Sequence, residues 1–248
     1  IVSGAEAEGQ PRRLMCISSG NVSMDETYSY PDTNLVTPIQ DPAQAWNALT
    51  IGAATERTQI EPADEYPDWQ PVAPEGEMSP SNTTSFNLDR DWPTKPDLVM
   101  EGGNKATSPS LEKPDHLDSL AIPTTKGPSA TNPNTRLTAT AGTSPASAQV
   151  ARMAAHLRAE YSDYWPETIR ALLVHSGRWT DAMESRFADE PESEAAKRRL
   201  RCYGYGVPSL ERALYSARNS TVMVLEDQIQ PFEIPEDGSR SNARSNHM

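Results

Sequence analysis

Cysteine is nearly absent: Cys16 and Cys202 are the only two in 248 residues, which excludes a disulfide-dense scaffold and a four-cysteine zinc site. A single long-range disulfide is the one pairing left open, although Cys16 lies in an apolar run that reads as the setting of a buried free thiol. Histidine is as sparse. His116, His156, His175 and His247 lack metal-ligand spacing and His-Glu-x-x-His does not occur, so no metal and no other cofactor is assigned. No apolar run approaches the length of a membrane span. Basic residues are outnumbered, 22 Lys and Arg against 35 Asp and Glu, for a net charge of −13. Such a chain repels phosphate backbones and anionic lipid surfaces, so neither nucleic acid nor a membrane is expected as a partner. A phosphate-binding Gly-x-x-x-x-Gly-Lys-Ser/Thr is missing, and Glu101-Gly102-Gly103-Asn104 lacks the later glycine of a dinucleotide fingerprint. The start, Ile1-Val2-Ser3-Gly4, has neither a basic cluster nor an apolar secretory core. It leads within a few residues into a well-formed strand, so the chain is expected to be a fragment. The compartment is left unassigned, with a lean to the cytoplasm.

The length allows a substantial core, and the patterning favours one α/β unit. Leu14-Met15-Cys16-Ile17-Ser18 reads as a buried strand, and Gln44 to Ala53 as a turn entering a second strand bounded by Gly52. Residues 55–95 are rich in Pro, Asp, Glu, Asn, Ser and Thr, the composition of surface loop. Glu56, Glu61, Asp64 and Glu65 in that stretch match no calcium-loop spacing. Lys95 to Met100 offers another short strand, and Arg136 to Thr140 a further one after the polar residues 105–134. Val150, Ala154, Leu157 and Tyr161 share a helical face and predict a helix from about Pro145 to Glu160. Ile169, Leu172, Leu173 and Ser176 predict a second, from Pro166 to a stop at Gly177. Lys197-Arg198-Arg199-Leu200-Arg201 reads as a solvated basic segment. The glycine-punctuated turn from Tyr203 to Pro208 precedes a short helix with Leu210, Ala213 and Leu214. Thr221 to Leu225 and Ile229 to Ile234 suggest two strands of a β-rich extension, with a polar tail after Glu236.

Ala141-Gly142-Thr143-Ser144-Pro145-Ala146-Ser147 sets a serine where a strand-like run becomes a helix. Gly142 permits a tight backbone approach, and Pro145 suits a helix start, where its missing N–H is not needed. Two readings of Ser144 stand open on these residues. It is a helix N-cap, or it is a nucleophile whose developing negative charge faces unpaired helix amides. The α/β-hydrolase elbow is excluded, because Ala146 stands where its second glycine is required. Asn21 shifts the balance. In Ser18-Ser19-Gly20-Asn21 a carboxamide follows directly on a strand, with a glycine beside it to admit another backbone. Alone this is an ordinary turn; joined to Gly-Thr-Ser at a helix start it is specific.

These residues resemble the C-terminal portion of the catalytic domain of subtilisin-like serine proteases, the subtilases. The resemblance rests on Ser19-Gly20-Asn21, Ala48 to Ala53, Lys95-Pro96-Asp97 before an apolar strand and glycine, Gly142-Thr143-Ser144, and the turn at Tyr203, in that order. It covers about residues 10 to 215; the catalytic-domain portion is drawn as 1–215 and the possible β-rich extension as 216–248. It implies an α/β fold with a largely parallel sheet and packed helices, incomplete on its N-terminal side and carrying long polar insertions. It implies hydrolysis of a peptide or protein substrate by acyl transfer. Ser144 would attack the scissile carbonyl, and the Asn21 side chain and the Ser144 N–H would hold the oxyanion. Ser19 and Gly20 would line the pocket for the residue preceding the scissile bond (P1), and Thr143 would support the oxyanion hole from its edge.

The departures from that pattern shape the expectation. Subtilases usually follow the nucleophile with Met-Ala-Ser/Thr-Pro-His, where this chain has Pro145-Ala146-Ser147-Ala148-Gln149. Their catalytic Asp and His precede the oxyanion asparagine, and residues 1–20 contain neither. The chain is therefore expected to carry nucleophile and oxyanion hole without the acid–base pair, to be inactive alone, and to need the missing N-terminal part of the same domain. The alternative is a non-catalytic protein-interaction module on a degenerate protease-like or other α/β fold, which also accounts for Pro145. Asn-x-Ser/Thr sequences stand at Asn21, Asn82 and Asn219, and a glycan on Asn21 would block the site.

Overall fold

The structure, a computed structural model, describes residues 12–25, 27–89, 91–128, 136–219 and 224–227. The elements in chain order are β1 (Cys16–Ser18), α1 (Asp32–Val36), β2 (Leu49–Thr55), β3 (Gln70–Pro71), β4 (Glu77–Met78), β5 (Leu98–Glu101), β6 (Ala106–Thr107), a 3-10 turn (Asp118–Leu120), β7 (Ile122–Thr125) and β8 (Leu137–Thr140). Five helices follow: α2 (Thr143–Glu160), α3 (Pro166–His175), α4 (Asp181–Ser185), α5 (Glu192–Tyr203) and α6 (Leu210–Asn219). The central sheet is built on β2, with β1 and β5 parallel to it and β4 antiparallel at its last two residues. No helix among the described residues is long and apolar enough to cross a membrane.

Alternation along β2 and β5 sorts their side chains onto two faces. Leu49, Ile51, Ala53 and Leu98 pack under Ala146, Val150 and Leu157 of α2, Ile169, Leu172 and Leu173 of α3, and Ala213 of α6. Ala54 and Val99 meet Met78, Met183, Phe187, Ala195, Cys202 and Tyr203 in a second cluster on α4 and α5. A sheet covered on both faces explains why β2 is buried at every position. Each fully buried Leu or Ile in these layers contributes about 1.5–3 kcal/mol relative to exposure. The parallel strands end on one side of the sheet, where Gly142 at the start of α2 donates to the Gly102 carbonyl just past β5 at 2.7 Å. That side is where open parallel sheets bind ligands.

Several expectations are corrected. Gly52 does not bound the second strand but lies inside β2, with the Pro96 ring 2.9 Å from where a Cβ would stand. Residues 77–85, expected on the surface, are buried throughout. Their polar groups find partners from distant segments, which removes the penalty of burying them. Asn34 Nδ2 donates to the carbonyls of Ser79, Pro80 and Asn82, while Asn82 Oδ1 accepts from Ala53 N and its Nδ2 donates to the Cys202 carbonyl. The Asn82 sequon is thus closed to a glycan in the folded chain. Arg136 to Thr140 leads into the serine as expected, but its strand β8 pairs with β7 in a separate antiparallel ribbon. The basic run lies in α5, where Lys197 and Arg198 are exposed as expected but Arg199 is buried, stacks over Trp179 and pairs with Glu192. Cys16 and Cys202 are free thiols, and burial pushes the Cys16 thiol up to about 11. Val224 and Leu225 are irregular rather than strand, and Thr221 to Met223 and Ile229 to Ile234 lie outside the described residues.

Candidate active site

Helix α2 begins two residues earlier than the apolar spacing predicts. Its N-cap is Gly142, at φ 138° and ψ −179°, so Thr143, Ser144 and Pro145 are its first three residues. Ser144 is therefore not the cap. It is an exposed residue of the first turn, and its N–H is among the four that have no acceptor within the helix. Pro145 falls in the same turn, so its lack of an N–H removes no helical hydrogen bond.

Asn21 reaches this turn from the end of β1. Its Oδ1 accepts from the Thr143 N–H at 2.9 Å and lies 3.3 Å from Thr143 Oγ1, which donates to the Gly20 carbonyl at 2.8 Å. A backbone N–H can only donate, so this contact fixes which end of the carboxamide is oxygen. The Nδ2 donors stand on the other side of the group, and both Asn21 and Ser144 are exposed. Sequence reading assigned Thr143 to the edge of the oxyanion hole; the structure places it, fully buried, as the clamp on Asn21 and Gly20.

The supporting contacts lie beneath. Ser19 is fully buried; its carbonyl accepts from Thr83 Oγ1 at 2.8 Å, and its own hydroxyl lies 3.0 Å from the same oxygen. It holds the strand end from below, and the accessible part of the segment is Gly20 and Asn21. Gly20 has φ 101° and faces the Gln40 side chain. Gln149, one turn beyond Ser144, donates to the Glu101 and Pro145 carbonyls. Lys95 and Asp97 fasten the underside: Lys95 Nζ lies 2.7 Å from Asp97 Oδ2 and donates to the Ala48 carbonyl, while Asp97 Oδ1 pairs with Arg170. Burial pulls the Lys95 ammonium below the ordinary lysine range, and the Asp97 carboxylate opposes that. His156 shares α2 with Ser144, about 18 Å along its axis at 1.5 Å per residue. His175 closes α3, and His116 faces Asp118 at 3.7 Å.

The Peptidase_S8 (subtilase family) model matches residues 1–206. The chain belongs to the subtilase family. Among solved structures, a protease of Pseudoalteromonas arctica PAMC 21717 is similar at 14% identity and a TM-score of 0.49, over 82% of this chain and 42% of that one. The prenylagaramide maturation protease PagA is similar at 15% identity and 0.47, over 84% and 51%. The epidermin leader peptide processing protease EpiP of Staphylococcus aureus is similar at 16% and 0.44, over 85% and 42%. The chain thus spans about half the length of these structures. No curated protein matches the sequence.

As a subtilase the chain has the α/β fold that the resemblance implied. Of the candidates that sequence reading named, Asn21 docks on Thr143, the residue before Ser144. Sequence reading missed Gln40, Thr83 and Gln149. Gln40 and Thr83 arrive through connections whose paths only the fold sets, and Gln149, on α2 itself, carries no local sign that it reaches the end of β5.

Proposed function

We propose that this chain supplies the nucleophile and the oxyanion hole of a serine endopeptidase, with Ser144 attacking the scissile carbonyl of a peptide. The observation that carries the reading is the Asn21 carboxamide, docked by its oxygen on Thr143 N beside Ser144. Two donors then serve the tetrahedral oxyanion: Asn21 Nδ2 and the Ser144 N–H at the positive end of an 18-residue helix. They stabilise charge that appears only during reaction, which raises the rate rather than the affinity. Thr143 keeps the carboxamide oriented, so little reorganisation is needed when the oxyanion forms.

Serine needs a base to act as a nucleophile, and in this reading the base and its orienting carboxylate come from the rest of a subtilase catalytic domain. The edge of the sheet supports that complement. Within the described residues β1 pairs with β2 alone, and beside it Leu14, Met15, Cys16, Ala154, Ala155 and Ile169 line an open groove of about 500 Å3. The isolated chain is accordingly inactive, and the protein expressed from its complete gene is active. Labelling with a fluorophosphonate tests both statements. Rapid modification of Ser144 is expected in the whole protein, none in this chain alone, and Ser144→Ala abolishes both labelling and peptide cleavage. Cleavage retained by Ser144→Ala, or a whole protein that neither labels nor cleaves, overturns the reading and favours a non-catalytic module.

A further inference from the structure

We propose that the cavity between the end of α3 and the first turns of α6 binds a carboxylate presented by a peptide, held by the guanidiniums of Arg178 and Arg212. The cavity measures about 470 Å3 and is lined by His175, Ser176, Arg178, Glu211, Arg212 and Tyr215. Both arginines are held in place by backbone. Arg212 Nε and Nη2 donate to the Ser176 carbonyl at 2.9 and 2.7 Å, and Arg178 Nη1 donates to the carbonyls of His175 and Gly177 at 3.1 and 2.6 Å. Carbonyls at a helix end carry only a partial negative charge, so they orient two full positive charges without neutralising them. Lys95, Arg170, Arg186, Lys197, Arg198 and Arg199 each have an acidic partner. Arg178 and Arg212 have none among the described residues, in a chain with 35 acidic side chains. The N–H groups of Arg178 Nε and Nη2 and of Arg212 Nη1 have no acceptor among the described residues and are the donors open to a ligand.

The lining selects a single negative charge. Two guanidiniums less the Glu211 carboxylate leave one positive charge, with His175 counted as neutral. A carboxylate matches that charge and the planar guanidinium fork, whereas a phosphate dianion exceeds it. The room is greater than one carboxylate fills, and Tyr215, 57% exposed, offers a ring to the residue that carries it. For a member of a peptidase family, the carboxylates at hand are those of peptides. The cavity also stands apart from the candidate active site. Arg178 pairs with Val207 in an antiparallel bridge, and beside it Tyr205 N donates to the Asp97 carbonyl and Val99 N to the Gly206 carbonyl, at the start of β5. Gly142 meets the chain past the other end of that strand. The inference therefore does not depend on the reading of Ser144.

The test measures binding to the whole protein, carrying Ser144→Ala so that no peptide is consumed. Isothermal titration at low salt compares four probes: an N-acetylated, C-amidated peptide with one Glu, the same peptide with Gln, the Gln peptide with a free C-terminal carboxylate, and inorganic phosphate. At least one carboxylate peptide is expected to bind about tenfold more tightly than the amidated Gln peptide, the scale of charge-assisted hydrogen bonds to a guanidinium. The tighter of the two identifies the source of the carboxylate, a side chain or a chain end, and either supports the site. Arg178→Gln is expected to remove about tenfold of that affinity. Glu211→Gln removes an exposed carboxylate with no partner among the described residues, and is expected to raise it. Neither change moves the binding of the amidated Gln peptide. Glu211→Gln decides the matter if Arg178→Gln fails to fold. Equal binding of carboxylate and amidated Gln peptides, affinity unmoved by the folded variants, or phosphate bound more tightly than either carboxylate peptide overturns the proposal.

Discussion

Asn21 is held by its oxygen and, in the proposed reaction, works by its nitrogen. That division follows from Thr143, whose N–H and hydroxyl converge on Oδ1 and the Gly20 carbonyl. Asn21→Ala in the whole protein is expected to lower kcat by about 10²–10³ with little change in KM, a magnitude established for loss of one such donor in a subtilisin. Steady-state kinetics check it, and an equal rise in KM would assign Asn21 to substrate binding instead. Glu56 shows a different residue-scale effect. Its carboxyl is raised above the ordinary value of 4.5, first by partial burial and then by Glu75 and Glu101. A raised carboxyl binds its proton more readily in the folded state, so the ionised form opposes folding above the folded pKa and the penalty fades as pH falls toward 4.5. Glu56→Gln is therefore expected to stabilise the chain at pH 7, by on the order of 0.5 kcal/mol for so exposed a group. The gain should vanish in urea titrations run below pH 4.5.

At the scale of elements, the site is a meeting of ends: the end of β1, the end of β5 and the start of α2. Gly142 makes the meeting possible. Its φ of 138° is open to glycine and strained for other residues, and a Cβ there would stand 2.9 Å from Asn21 Oδ1. Gly142→Ala is expected to cost about 1–3 kcal/mol in the urea denaturation of this chain. If Asn21 holds the oxyanion as proposed, the loss in kcat/KM of the whole protein should exceed what that stability change explains, because the same Cβ pushes the Asn21 amide. The helices α2 and α3 were legible from spacing, since Val150, Leu157, Ile169 and Leu172 face one sheet. Helix α5 was not. Its face is written in Ala195, Arg199 and Cys202 amid charged residues, and a cation that stacks on Trp179 inside the fold looks like any solvated arginine in the sequence.

For the whole molecule, the two-faced sheet explains why a chain so polar has a core at all. Its second layer is knotted by Glu77, which accepts from Arg186 Nε at 2.9 Å and from the hydroxyls of Tyr203 and Tyr30 at 3.1 and 3.2 Å. The segment from Glu77 to Ser85 is buried because Asn34, Ala53 and Cys202 satisfy its polar groups. Composition marked it as loop, and no local pattern could reveal partners that lie 29 to 120 residues away. The sequence by itself determined the family, the strands β1, β2 and β5 with the helices α2 and α3, and the pairing of Asn21 with Gly-Thr-Ser, because those patterns are contiguous. Tertiary structure alone decided that Ser144 is not the helix cap, that Ser19 lies beneath the surface, and that Gln40 covers Gly20. These depend on where separate segments cross in space, and the physical terms that decide them, close contact and hydrogen-bond satisfaction, act only once the segments have met.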